Sequence, residues 1–165
     1  MLGLNLNYPL LLSTVIEHAG ATFGDTEIVS YGGMEKQLGD YRSAAMRSRR
    51  LASALRRMGV QEGSFVGSLA WNTQRHFELF YGVSGIGAVL HTANPRLPPA
   101  QIHYTINFAG YRTLFIDADT VSLAEQLAPR LESVDRFIVM AGRDDMPATT
   151  LPNVRCYEDL VDAGD

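Results

Sequence analysis

Little in this chain could tie it together covalently or draw it out of water. Its 165 residues contain one cysteine, Cys156, which cannot close an internal disulfide and has no neighbours at metal-ligand spacing. A reducing compartment is the simplest reading, and a cytoplasmic location is expected. No apolar run approaches the ~20 residues that a membrane-spanning helix needs. The first twelve residues are apolar, but they lack a basic start and are interrupted by Asn5, Asn7 and Pro9, so they do not read as a signal peptide. Charged residues make up 19% of the chain and the net charge is −4, which leaves no cationic surface as a whole for nucleic acid. What remains is a 46% apolar chain with one tryptophan, Trp71. That composition and length suit one folded domain with its own core.

Hydrophobic periodicity orders the chain. Leu12, Val15, Ile16, Ala19 and Phe23 share one face of an amphipathic helix that Gly24-Asp25 stops. Glu27–Tyr31 and Met34–Leu38, joined by Gly32-Gly33, read as a β-hairpin. Asp40 is suited to cap the next helix, whose buried stripe is Tyr41, Ala44, Ala45, Leu51, Ala52 and Leu55 and whose end is Gly59. Phe65–Leu69 is a short apolar run, the mark of a buried strand. Asn72 or Thr73 caps a helix that is apolar on nearly every side from Phe77 to Leu90, with Gly82, Gly85 and Gly87 marking close packing. Further strands are expected at Val89–Thr92, Arg112–Ile116 and Asp135–Met140. Helices are expected from Pro99 to Gly110, over Val121–Leu131 and from Tyr157, with a loop over residues 141–153. Strands alternating with helices predict an α/β fold, an open, doubly wound, mostly parallel sheet preceded by a helix and a hairpin. A single domain over residues 1–165 is expected.

Such sheets bind ligands beyond the carboxyl ends of their strands. Here these are Leu69–Asn72, Thr92–Arg96, Asp117–Asp119 and Ala141–Arg143. Gly82-Val-Ser-Gly-Ile-Gly87 has the wrong glycine order for a dinucleotide loop and precedes a strand, and no P-loop or serine nucleophile elbow is present. His18, His76 and His103 read as partly exposed helix residues and His91 as a hydrogen-bonded strand residue. None pairs with another at metal spacing, so no metal site is expected. Arg42 to Arg57 reads as a solvated helix face. Asp117, Asp119 and Asp162 show no paired-carboxylate spacing, and Trp71 reads as core before pocket wall.

The stretch Trp71-Asn-Thr-Gln-Arg-His-Phe-Glu-Leu-Phe-Tyr-Gly-Val-Ser-Gly-Ile-Gly-Ala-Val-Leu-His-Thr-Ala-Asn-Pro-Arg-Leu97 closely resembles medium- and long-chain fatty-acid–CoA ligases of the AMP-forming adenylating superfamily. Its distinctive elements are Asn72, Arg75-His76 and Glu78, the Gly87-Ala-Val turn, and His91-Thr92 with Asn94-Pro95-Arg96-Leu97. Upstream, Arg49-Arg50-Leu51-Ala52-Ser53-Ala54-Leu55, Gly59-Val60 and Gly63 look similar too, as does Leu114-Phe115-Ile116-Asp117 downstream. The resemblance spans about residues 20 to 140. Ser64, Ser84, Phe108, Gly110 and Tyr111 depart from the usual pattern.

The resemblance implies the first subdomain of the ligase large domain. The parent would join a fatty acid to coenzyme A with ATP and Mg²⁺, through acyl-AMP, releasing AMP and pyrophosphate. The phosphate loop, adenylation core and lid domain of the family come later in sequence. The chain alone is therefore expected to hold no catalytic or cofactor-binding residues and to lack ligase activity. His91, Asn94, Arg96 and Trp71 are expected either to line the substrate tunnel or to fix their loops. Fatty acid, ATP and CoA would engage through the remaining domains, with homodimerisation or self-association through uncovered apolar surface. The alternatives are a stand-alone interaction or small-molecule-binding α/β domain derived from the ligase and, last, a flavodoxin-like nucleotide binder.

Overall fold

The computed structural model describes residues 9–32 and 35–165. Helix α1 (Leu12–Thr22) leads into the antiparallel ribbon of β1 (Glu27–Gly32) and β2 (Glu35–Asp40). Of the expected two-glycine turn, Gly32 ends β1, while Gly33 lies outside the described residues, as do residues 1–8. Asp40 then caps α2 (Tyr41–Arg57) by accepting the amide N–H of Ser43 at 2.6 Å. Ile16 of α1 and Ile28 of β1 pack against Ala44 and Ala45 of α2, so helix and ribbon lie on one side of the main body.

The main sheet has the order β4-β3-β5-β6-β7, and every pair in it is parallel. Its strands are β3 (Phe65–Leu69), β4 (Val89–Ala93), β5 (Thr113–Ile116), β6 (Arg136–Val139) and β7 (Val154–Cys156). The connecting helices are α3 (Gln74–Ser84), α4 (Pro99–Ala109), α5 (Val121–Leu127) and α6 (Tyr157–Asp162). Alternation sorts the side chains. Val66, Phe115, Ile138 and Met140 face α2, α3 and α6. Leu69, Leu114, Ile116, Phe137 and Val139 face α4 and α5. Both faces are covered, as the doubly wound expectation requires.

Two expectations need correction. The sequence reading counts four parallel strands, whereas β7 is a fifth. It is three residues long and only its last residue is buried, so it carries almost no periodic signal. The apolar helix expected to run through Leu90 stops at Ser84. Gly87 takes φ +74°, which ends the helix and turns the chain into β4. Of the three glycines there, Gly82 is the one in close helix contact, against Leu51 and Ser48 of α2.

Candidate functional site at the carboxyl edge

The ends of β3, β4 and β5 meet at Trp71. Its backbone amide donates to Oδ2 of Asp117 at 2.6 Å, and its indole N–H donates to Oδ2 of Asp119 at 2.8 Å. Thr120 ties the same two segments by donating to the carbonyls of Leu69 and Asp117, each at 2.9 Å. From the loop after β4, the guanidinium of Arg96 lies over the indole face, 5.2 Å from its centroid. Asn94 sets that loop by accepting the amide N–H of Arg96 at 2.9 Å. Three crevice loops thus converge on one aromatic ring.

Beside the ring is a cleft of about 300 Å³ whose walls include Trp71, His76, Phe80, Thr92, Asn94 and Arg96. Asp117 is 7% exposed. Burial pushes its carboxyl up to about 6, with the neighbouring Asp119 adding to the rise, while the Trp71 amide and Arg75 partly offset it. His76 is buried, and its Nε2 pairs with the Ser68 hydroxyl at 3.0 Å. Burial lowers its pKa, so it stays neutral around pH 7.

Of the four residues that the resemblance flags, Trp71, Asn94 and Arg96 come together here. His91 does not, because it points to the opposite sheet face, where Nδ1 lies 3.4 Å from the Tyr111 hydroxyl. Trp71 lines the cleft and is not core. His76 corrects the expectation of a partly exposed histidine. The sequence reading places Asp117–Asp119 at a strand end but assigns the two carboxylates no role, because they meet Trp71 at different atoms, its backbone amide and its indole N–H. Asp-Ala-Asp directly after a buried strand was the available signal.

Behind the cleft, Arg47 corrects the reading of its helix as a solvated face. Its Nε donates to fully buried Glu78 at 2.8 Å, and its terminal nitrogens donate to both oxygens of Glu158 at 2.9 and 3.2 Å. Arg75 also donates to Glu158, at 2.7 Å, and the Tyr157 hydroxyl donates to Glu78 at 2.8 Å. Burial disfavours the charge on Arg47, yet its bonds to Glu78 and Glu158 outweigh this and raise its pKa. Helices α2, α3 and α6 are clamped by this network. A second recess, of about 530 Å³, opens beside β7, where Arg143 is already engaged by Asp159 and Asp162.

Comparison with known proteins identifies the family. The family model described as AMP-binding enzyme matches residues 16–159. The chain belongs to the AMP-binding enzyme family. The 3-methylmercaptopropionyl-CoA ligase of Ruegeria pomeroyi is 42% identical over all of this chain and 31% of its own length. A medium-chain-fatty-acid–CoA ligase of Ectopseudomonas oleovorans is 35% identical over all of this chain and 30% of its own. The chain therefore spans about a third of these relatives. The crystal structure of a long-chain-fatty-acid–CoA ligase from Archaeoglobus fulgidus superposes with a TM-score of 0.77 over 98% of this chain and 32% of that one, at 18% identity. The matched third of that structure has the fold of this chain.

Gly59, Gly63, Gly87 and Gly110, the glycines with positive φ, precede β3, β4 and β5 at the opposite, amino edge. Among the described residues, no three His, Cys, Asp or Glu side chains gather as a metal cage.

Proposed function

We propose that these 165 residues form the first α/β layer of an acid–thiol ligase. In this reading an organic acid and ATP give acyl-AMP and pyrophosphate. The thiol of coenzyme A then takes the acyl group and AMP leaves. The observation that carries the reading is identity of 42% with a 3-methylmercaptopropionyl-CoA ligase along the whole chain. A medium- or long-chain fatty acid, as expected from sequence, stays the proposed substrate class, and a short acid of the 3-methylmercaptopropionate kind is the second reading. Nucleotide, Mg²⁺ and CoA would be held by parts of the ligase outside this chain, which spans about a third of its relatives' length. These residues would hold the crevice loops in place, through Asp117 and Asp119 on Trp71, and brace the layer through Arg47, Glu78 and Glu158.

The same reading places the enzyme in the cytosol, with buried, unpaired Cys156 as support. Among the described residues no helix is long and apolar enough to cross a membrane. Exposed Tyr104 and Phe108 on α4 favour self-association of the isolated chain.

The test is a hybrid in which this chain replaces the matching third of the Ruegeria pomeroyi ligase. A hybrid that melts cooperatively and forms acyl-CoA, AMP and pyrophosphate is expected. A hybrid that melts cooperatively yet forms neither adenylate nor thioester counts against the reading. The isolated chain should give no heat with ATP–Mg²⁺. Saturable nucleotide binding would favour a self-contained binding domain instead.

A further inference from the structure

We propose that two copies of this chain join their sheets edge to edge, β4 pairing antiparallel with β4 about a two-fold axis at His91. Strand β4 ends the sheet, and among the described residues only β3 pairs with it. An open edge recruits further strands through its free N–H and C=O groups, so it is normally blunted by a charge, a proline or a bulge. Val89-Leu-His-Thr-Ala93 carries none of these.

The surface around the edge lacks charge as well. From Leu79 to Tyr111, through the end of α3, all of β4 and all of α4, Arg96 is the sole Asp, Glu, Lys or Arg in a chain that is 19% charged. Phe65 and Val89 are register partners at the start of the edge, and both are exposed. Tyr104 and Phe108 stack on the exposed side of α4, with ring centroids 6.0 Å apart. Aromatic side chains without charge mark the core of a protein interface. In a two-fold contact each patch meets its own copy, so a charged patch repels itself and an uncharged one does not. This self-compatibility points to a second copy of the chain as the occupant.

The backbone fixes the register. The amide of Val89 donates to the Ser64 carbonyl at 2.8 Å, so the backbone groups of Val89, and by alternation those of His91 and Ala93, face β3. Those of Leu90 and Thr92 face outward. Pairing about His91 sets Leu90 opposite Thr92 of the second copy, where the outward groups of both residues exchange hydrogen bonds. His91 then meets its own counterpart in the closely spaced, non-hydrogen-bonded position.

That juxtaposition makes the pairing sensitive to pH, because like charges directly opposite each other on neighbouring strands are destabilising. Burial lowers the pKa of His91, so the imidazole is neutral around pH 7. The Tyr111 hydroxyl, 3.4 Å from its Nδ1, is kept protonated by burial. Strand β3 has no ionisable side chain, His103 of α4 is bonded to the Arg130 carbonyl at 2.8 Å, and Arg96 lies at Trp71. None of these groups supplies a negative charge to offset two imidazolium ions. The separated chains take up protons that the dimer refuses, so acid drives them apart. Pairing through β4 deepens the self-association proposed above and is independent of the ligase chemistry. An inactive hybrid leaves it standing, and a monomeric chain leaves the ligase reading standing.

Sedimentation equilibrium of the chain over a concentration series, at pH 7.5 and 5.0, tests the proposal together with amide exchange followed by NMR. A dimer is expected at pH 7.5. Its Leu90 and Thr92 amides should gain protection as concentration rises, while those of Val89 and His91 are protected throughout. At pH 5.0 the Kd should rise roughly tenfold or more. His91→Gln should keep the dimer and lose this pH dependence. Thr92→Pro removes an outward N–H that β3 does not use, and Thr92→Lys places a charge on the edge. Both should give folded monomers, with folding checked by thermal melting, and Thr92→Lys decides if the proline variant does not fold. A monomer at every concentration overturns the proposal. So does a dimer that survives in folded Thr92→Lys, free exchange of the Leu90 and Thr92 amides within the dimer, or a Kd indifferent to pH. A dimer split by Phe108→Ser but by neither Thr92 variant places self-association on α4 and overturns pairing at β4 as well.

Discussion

The backbone amide of Trp71 donates to the buried carboxylate of Asp117 across 2.6 Å, joining the ends of two adjacent parallel strands. Asp117 holds its proton up to about pH 6, whereas its ordinary value is 3.8. Between those values the folded state binds more protons than the unfolded one, so the contribution of Asp117 to stability falls as pH rises from about 4 to 6. At about 1.4 kcal/mol per pH unit, the fall is roughly 2–3 kcal/mol. Asp117→Asn keeps an acceptor for the Trp71 amide and removes the titration. Urea unfolding at pH 4.5 and 7.5 should show the wild type ahead of the variant by about 2 kcal/mol more at the lower pH. A constant difference would mean that Asp117 titrates normally.

His76 works in the opposite direction. Burial lowers its pKa, so below about 6.5 the unfolded imidazole takes up a proton that the folded one refuses. Its contribution therefore rises with pH and is complete above the unfolded value. Relative to His76→Gln, the wild type should lose stability as pH falls through this range. A His76→Gln difference that does not move with pH would refute a buried neutral imidazole.

Glu78→Ala should destabilise the fold by about 1–3 kcal/mol in urea, because the Tyr157 hydroxyl loses its buried acceptor while Arg47 keeps its bonds to Glu158. A loss below 1 kcal/mol would show that water reaches the clamp. The exposed pair of Arg42 and Asp25 is the control, and Asp25→Ala should cost no more than about 1 kcal/mol.

At Gly67 an added methyl group would collide with the Tyr111 ring. The backbone there is ordinary strand, so the constraint is steric. Gly67→Ala should cost about 1–3 kcal/mol or more by overpacking. Thermal unfolding checks this, and an unchanged midpoint would mean that the ring swings away freely.

The sheet was legible because each of its first four strands is an apolar run bounded by turn residues, as Phe65–Leu69 is between Ser64 and Trp71-Asn72. Strand β7 was not, since an edge strand pairs on one side only and Val154-Arg155-Cys156 needs no continuous apolar run. At the site, Arg96 and Trp71 were flagged through resemblance to a family motif. The contacts of Trp71 with Asp117 and Asp119 are not visible in sequence, because they span 46 and 48 positions and depend on strand order. Arg47 looked solvated among many arginines. Its carboxylate partners come from α3 and α6, and single-helix periodicity carries no information about them.

The clamp also has a direction in time. Arg47 leaves the ribosome 111 residues ahead of Glu158. Until α6 is made, Arg47 and Arg75 lack the carboxylate they share, so the α2–α3 pair waits with positive charge on the surface that α6 will cover. Translation of α6 supplies the counter-charge, so this face closes only after the helices on either side of it have been made.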